Sequence, residues 1–167
     1  LTVKDDDGGA ATSTFGVTVR NSSPTIAALP PLVTGEGTFI QLPPATFTDP
    51  GFDNQARITA EDFTATIDWG DGTVEPAADI TLVEIPGREG TLTRGTVQAK
   101  HAYGDDGRYI VTLAVKDDDG GLDTKTFPVT VHNSSPTIAA LPSLVTDEGT
   151  FIQLPPATFS DPGFDNP

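Results

Sequence analysis

The first third of this chain is written again at its end. Residues 1–54 recur at 113–166, an offset of 112 positions, and only nine of the 54 differ, beginning with Thr2/Ala114 and ending with Thr48/Ser160. A period of about 112 residues is a whole domain, far longer than one turn of a solenoid. The sequence therefore reads as a window on a tandem array. Residues 1–20 are the C-terminal hairpin of a preceding repeat, 21–132 a complete repeat, and 133–167 the N-terminal strands of the following one. Each partial repeat lacks most of its strands and is not expected to fold alone.

The chain has no cysteine, so each repeat must be held by its core or by a metal rather than by disulfides. No apolar run approaches the roughly 18 residues of a membrane span, which argues against direct membrane insertion. The formal charge is −15, from 24 acidic and nine basic residues. That balance is wrong for nucleic acid or anionic lipid. It suits a well-solvated surface, or cation sites built from clustered oxygen ligands. The 17 glycines and 15 prolines, with abundant Thr and Val and no helix-period pattern, indicate an all-β sandwich of short strands.

Leu1–Lys4 reads as the end of a strand, Asp5–Gly9 as a turn, and Thr12–Arg20 as a half-buried strand with Phe15, Val17 and Val19 on one face. Asn21-Ser22-Ser23-Pro24 is a short seam ending in proline, hence a stiff joint; it also contains an Asn-Ser-Ser glycosylation-type triplet. In the complete repeat, strands are expected at Thr25–Leu29, Thr38–Leu42 and Ala45–Thr48, the last two interrupted by Pro43-Pro44. Further strands are expected at Phe63–Trp69, Asp79–Glu84 and Thr91–Lys100. Two more carry Tyr109, Val111, Leu113 and Val115, and Phe127, Val129 and Val131. Pro128 falls inside the last of these and cannot donate to a ladder, so an edge or a bulge is expected there.

Four motifs then occur in order: Trp69-Gly70-Asp71-Gly72-Thr73, His101-Ala102-Tyr103, Gly107-Arg108-Tyr109-Ile110-Val111-Thr112-Leu113, and Val115-Lys116-Asp117-Asp118-Asp119-Gly120. Together they resemble the PKD (polycystic kidney disease) domain. The resemblance implies an immunoglobulin-like β-sandwich found as tandem repeats in large secreted or surface proteins of bacteria and archaea. The stretch between Thr73 and Thr96 is longer than in short members of that family. On physical grounds Trp69 is a core anchor, Asp105 to Tyr109 has the spacing of a tyrosine corner, and His101 is a hydrogen-bonded structural histidine. Asp71 is expected to cap its own turn.

An enzyme is not expected: there is no cysteine, Ser22 and Ser23 have no evident base, and the candidate acids lie in turns. The specific chemistry left is calcium, which takes six to eight oxygen ligands. Three oxygen-rich segments, Asn21-Ser22, Asp49–Asn54 and Asp117–Asp119, can meet at one pole of a sandwich. The PKD resemblance implies a site on Asn21, Asp49 and Asp117, with Asp53 and Asp119 beside it. The counterparts in the partial repeats are Asp5, Asn133 and Asp161. The alternative is that Asp, Asn and Gly are there as turn formers. The expected function is a non-catalytic stiff rod, spacer or filament of an extracellular surface protein or adhesin, calcium-rigidified at its joints. Its partners would be neighbouring repeats, or other copies end to end. The alternative is a polysaccharide- or protein-binding accessory module of a secreted enzyme, which would need exposed aromatics such as Phe52 and Phe164.

Overall fold

A computed structural model describes residues 1–54, 59–75 and 80–164. The expected strand start at Asp79 lies outside them. Among the described residues, fifteen strands run in chain order. They are β1 (Thr2–Lys4), β2 (Ala10–Thr12), β3 (Thr25–Ile26), β4 (Leu32–Gly35), β5 (Phe39–Gln41), β6 (Ala45–Asp49), β7 (Phe63–Asp68) and β8 (Val74–Glu75). Then come β9 (Thr81–Ile85), β10 (Thr93–Gln98), β11 (Lys100–Ala102), β12 (Gly107–Asp117), β13 (Leu122–His132), β14 (Thr137–Ile138) and β15 (Phe159–Ser160).

The architecture is all-β and immunoglobulin-like. One sheet has the order β3-β6-β10-β9, prolonged by the β5–β11 pair, and the other has β4-β13-β12-β7-β8. The first strand is divided between the sheets: β3 pairs antiparallel with β6, and β4 crosses to pair parallel with β13. That crossing is not legible in the sequence, where Leu32–Gly35 reads as a connection. The residues expected as one strand over Thr91–Lys100 form β10 and β11, broken at Ala99. The break faces Pro43-Pro44 in the partner, and the Leu42 amide spans it to the Ala99 carbonyl at 2.9 Å. The long stretch after Thr73 supplies β8 and β9, which extend the edges of the two sheets.

Alternation builds the core. Ala65 and Ile67 on β7, Val111, Leu113 and Val115 on β12, and Phe127, Val129 and Val131 on β13 point inward and are buried. They meet Ile26, Ala45, Phe47 and Val97 from the other sheet, as two half-polar sheets in a sandwich require. Trp69 is fully buried, stacked on His101 with centroids 4.9 Å apart, and its carbonyl accepts the Tyr103 hydroxyl at 3.1 Å. Tyr109 is half-buried; it stacks on Tyr103 and donates to the Asp105 carbonyl at 3.0 Å. This is the tyrosine corner. Tyr109→Phe removes that bond, and a loss of about 1 kcal/mol in denaturant unfolding is expected. β4 covers β13 only from Val129 to His132, so Pro128 sits where the outer edge is open.

The first twenty residues correct the reading of Thr12–Arg20. β2 ends at Thr12, and Phe15, Val17 and Val19 are exposed. Their counterparts Phe127, Val129 and Val131 form a buried strand because β12 and β4 flank it. Among the described residues, 13–20 have no such partner strands. The alternation is the same in both copies, and the neighbours decide whether it becomes a strand.

Candidate metal centre

The pole of the sandwich where residues 21–24 enter gathers three segments. β12 ends at Asp117 and β13 returns at Leu122, while β7 starts at Phe63 opposite Asp117. The seam is tied to this turn: the Asn21 side-chain amide donates to Asp117 Oδ2 at 3.0 Å, and the Leu122 amide to Ser23 Oγ at 3.3 Å. Asp117 Oδ1 accepts from the Gly121 amide, which closes the Asp-Asp-Asp-Gly-Gly turn. β6 brings Asp49 to the same place. Its Oδ1 accepts the Gly51 amide at 2.6 Å, and its Oδ2 is buried without a partner.

A third carboxylate, Glu61, completes the group. Carboxylate oxygens of Asp49, Glu61 and Asp117 lie within 4.8 Å of one another. The three residues are 0%, 8% and 2% exposed. Glu61 Oε1 is also buried without a partner. The Glu61 amide donates to Asp53 Oδ1 at 2.9 Å, so Asp53 positions the Glu61 backbone from behind. Asp119 is exposed and lines, with Asn21, Ser22 and Glu61, a cavity of about 530 Å³ beside the three carboxylates.

Such crowding opposes ionisation. Burial, then the charges of Asp49, Asp118, Asp117 and Asp119, push the Glu61 carboxyl from its ordinary 4.5 up to about 7. Burial also raises Asp49; the Gly51 amide opposes this and the Asp117 charge reinforces it. A hard divalent cation would resolve the arrangement, because it would take unpaired carboxylate oxygens as ligands and cancel their mutual repulsion. A carboxylate group of this kind fits calcium better than a soft metal.

The remaining expected residues lie elsewhere. Asp5 is exposed in the β1–β2 turn, where its Oδ1 accepts the Gly9 amide at 2.5 Å, as Asp117 does for Gly121. Asn133 and Asp161 are at the opposite pole, lining a cavity of about 830 Å³ with Glu36, Gly104 and Asp105. Glu36, Asp105 and Asp106 form a second acidic group there, but Glu36 Oε1 is occupied by the Ser134 amide at 2.9 Å. His101 and Asp71 pair at 2.7 Å beneath Trp69. Burial opposes the Asp71 charge, yet hydrogen bonds from the Thr73 amide and His101 hold its carboxyl below the usual range. This pair ties the 70–72 turn to β11.

Glu61 is not among the residues to which the sequence points. It lies outside the duplicated 54 residues, so the repeat could not single it out. The available signal was its position two residues before a strand whose start must lie beside the end of β12.

No family model matches the chain, and no curated protein matches it. The PKD resemblance thus rests on its four short motifs. Among solved structures, the chain is similar to the BIgI domain of beta protein from S. agalactiae, in a structure bound to CEACAM1. The identity is 18%, over 68% of this chain and 98% of that one, with a TM-score of 0.33. Nothing about this chain's chemistry follows from a likeness at that level.

Proposed function

We propose that the chain is part of a non-catalytic structural array of PKD-type repeats on an extracellular surface protein, stiffened at its joints by calcium. The observation that carries this reading is the pair of buried, unpartnered oxygens on Asp49 and Glu61, facing Asp117 where Asn21 enters from the seam. Asp49, Glu61 and Asp117 would hold the ion, with Asn21 and Asp119 at the rim. Asn21 is the first residue of the repeat and Asp117 lies in its last hairpin, so an ion there clamps the seam to the sandwich. The near-identity of the copies also suits a spacer, in which length matters more than any one surface.

The test is thermal unfolding of the full chain with calcium and with chelator. At a hundredfold excess over Kd, an ion bound only to the native state adds about 2.7 kcal/mol. For a domain of this size that is a rise of roughly 10 °C. Asp117→Asn is expected to abolish the rise. Equal midpoints with and without calcium would overturn the reading.

A further inference from the structure

At the far pole, residues of the following repeat are seated on the complete one. The Phe164 amide donates to the Gly104 carbonyl at 3.0 Å. A Cβ at Gly104 would overlap the Phe164 backbone, and all three of its nearest atoms belong to Phe164. A Cβ at Gly37, where φ is +67°, would overlap the Pro162 carbonyl. The Glu36 carboxylate bonds the Ser134 amide and lies next to Gly163. Gly104 is buried although it sits in a loop. These two glycines form a floor that admits the backbone of a turn and nothing larger.

The turn that fills it is present twice. Asp161-Pro162-Gly163-Phe164 repeats Asp49-Pro50-Gly51-Phe52. Both adopt one closed form, with the glycine amide bonded to the aspartate Oδ1, at 2.6 Å for Gly51 and 2.8 Å for Gly163. In the complete repeat the turn is also held from below, since Thr93 Oγ donates to the Gly51 carbonyl at 2.7 Å. The receiving Glu36-Gly37 recurs as Glu148-Gly149. The turn and the floor lie at opposite ends of β13, which spans 11 residues, roughly 33 Å at about 3.3 Å per residue.

We infer that the Asp-Pro-Gly-Phe turn of each repeat is a plug and the Glu36-Gly37/Gly104 floor of the repeat before it is its socket. The Pro50–Phe52 turn of the complete repeat is then the plug for a preceding copy. Each repeat carries one of each at opposite poles, which makes the contact head-to-tail, the kind that propagates into a filament when its rotation does not close a ring. Backbone pressed on glycine fixes the rotation between repeats, which a proline seam alone does not. The inference rests on the reading of the chain as a repeat array but not on a bound cation, and its test is run in chelator.

Amide exchange of the full chain measures the seat directly. The Phe164 amide is expected to exchange at least about tenfold more slowly than that of Phe151, which is fully exposed. Gly104→Val is expected to abolish that difference while Val111 and Val129 keep their protection, showing an intact sandwich. Phe164→Ala leaves the complete repeat untouched and is expected to shift the Gly37 and Gly104 amide resonances. Rapid exchange at Phe164 in the unaltered chain, or protection that survives Gly104→Val, would overturn the seat. For the second copy, a photoreactive benzophenone in place of Phe52 is expected to attach to residues 36–37 or 104–105 of a chain carrying Phe164→Ala. That attachment should fall about tenfold when the acceptor also carries Gly104→Val. Attachment elsewhere, or none, would overturn the assignment of Pro50–Phe52 as a plug.

Discussion

Glu61→Gln is expected to make the chelator-treated chain more stable at pH 8, and to remove most of the stabilisation that calcium gives the unaltered chain. The carboxyl of Glu61 is raised from 4.5 to about 7 by burial and by the charges of Asp49, Asp118, Asp117 and Asp119. The fold therefore favours its neutral form. The stability tied to that form is complete below pH 4.5 and is lost as pH rises through about 7. The full difference corresponds to about 3 kcal/mol. Asp49, also raised, acts in the same direction. Glutamine keeps the shape and cannot ionise, so it escapes the loss. The comparison to make is the melting temperature of Glu61→Gln minus that of the unaltered chain, from pH 5 to pH 8 in chelator. The subtraction cancels the carboxylates remote from Glu61, while the response of Asp49, Asp117, Asp118 and Asp119, which are coupled to it, is part of the difference. The difference should grow with pH to about 10 °C, on the scale of about 4 °C per kcal/mol for a domain of this size. With calcium at a hundredfold excess over Kd the difference should largely close at pH 8, because about 2.7 kcal/mol of binding favours the ionised glutamate and the amide offers no such charge. A difference that stays flat with pH would place Glu61 in an ordinary solvated environment.

Trp69→Ala is expected to cost about 3–5 kcal/mol, a larger loss than any change at the surface. Trp69 has no exposure, stacks on His101 and packs edge-on against Tyr103. Its removal opens a cavity under the His101–Asp71 pair and loosens the Tyr103 hydroxyl bond to its carbonyl. Trp69→Phe should cost less, since the indole nitrogen has no partner to lose. Trp69 follows the last residue of β7, whereas Glu61 precedes the first, so the two sites lie at opposite ends of the strand. The loss should be the same in calcium and in chelator, measured by denaturant unfolding. A loss that depended on calcium would mean the two ends are coupled.

These expectations rest on parts of the chain of unequal legibility. The alternation at Ala65, Ile67, Val111, Leu113, Val115 and Val129 displayed the two sheets openly, because period-two patterning reports which side of a strand is covered. Pro128 and the Asp105–Tyr109 spacing were legible for a similar reason: each expresses a local backbone constraint. The crossing of Leu32–Gly35 to β13 was not, since a parallel pairing carries no turn signal and only the docked sheet creates it. Phe15, Val17 and Val19 misled because alternation states what a strand would bury, not whether neighbours are present. Within the candidate site, the duplicated acids drew attention to Asp49 and Asp117. Glu61 joins them only through the register that sets Phe63 opposite Asp117, and Glu36 and Gly104 gain their meaning from a turn sixty or more residues away.

The most direct measurement is calorimetric titration of the full chain with calcium at pH 7, repeated in buffers of different ionisation enthalpy. If Asp49, Glu61 and Asp117 hold the ion, binding is seen and the heat depends on the buffer, because the proton shared by Glu61 near its raised pKa is released as calcium enters. Asp49→Asn should remove both signals. Absence of binding at millimolar calcium, or binding that releases no proton and survives Asp49→Asn, would contradict a cation clamp at the start of the repeat.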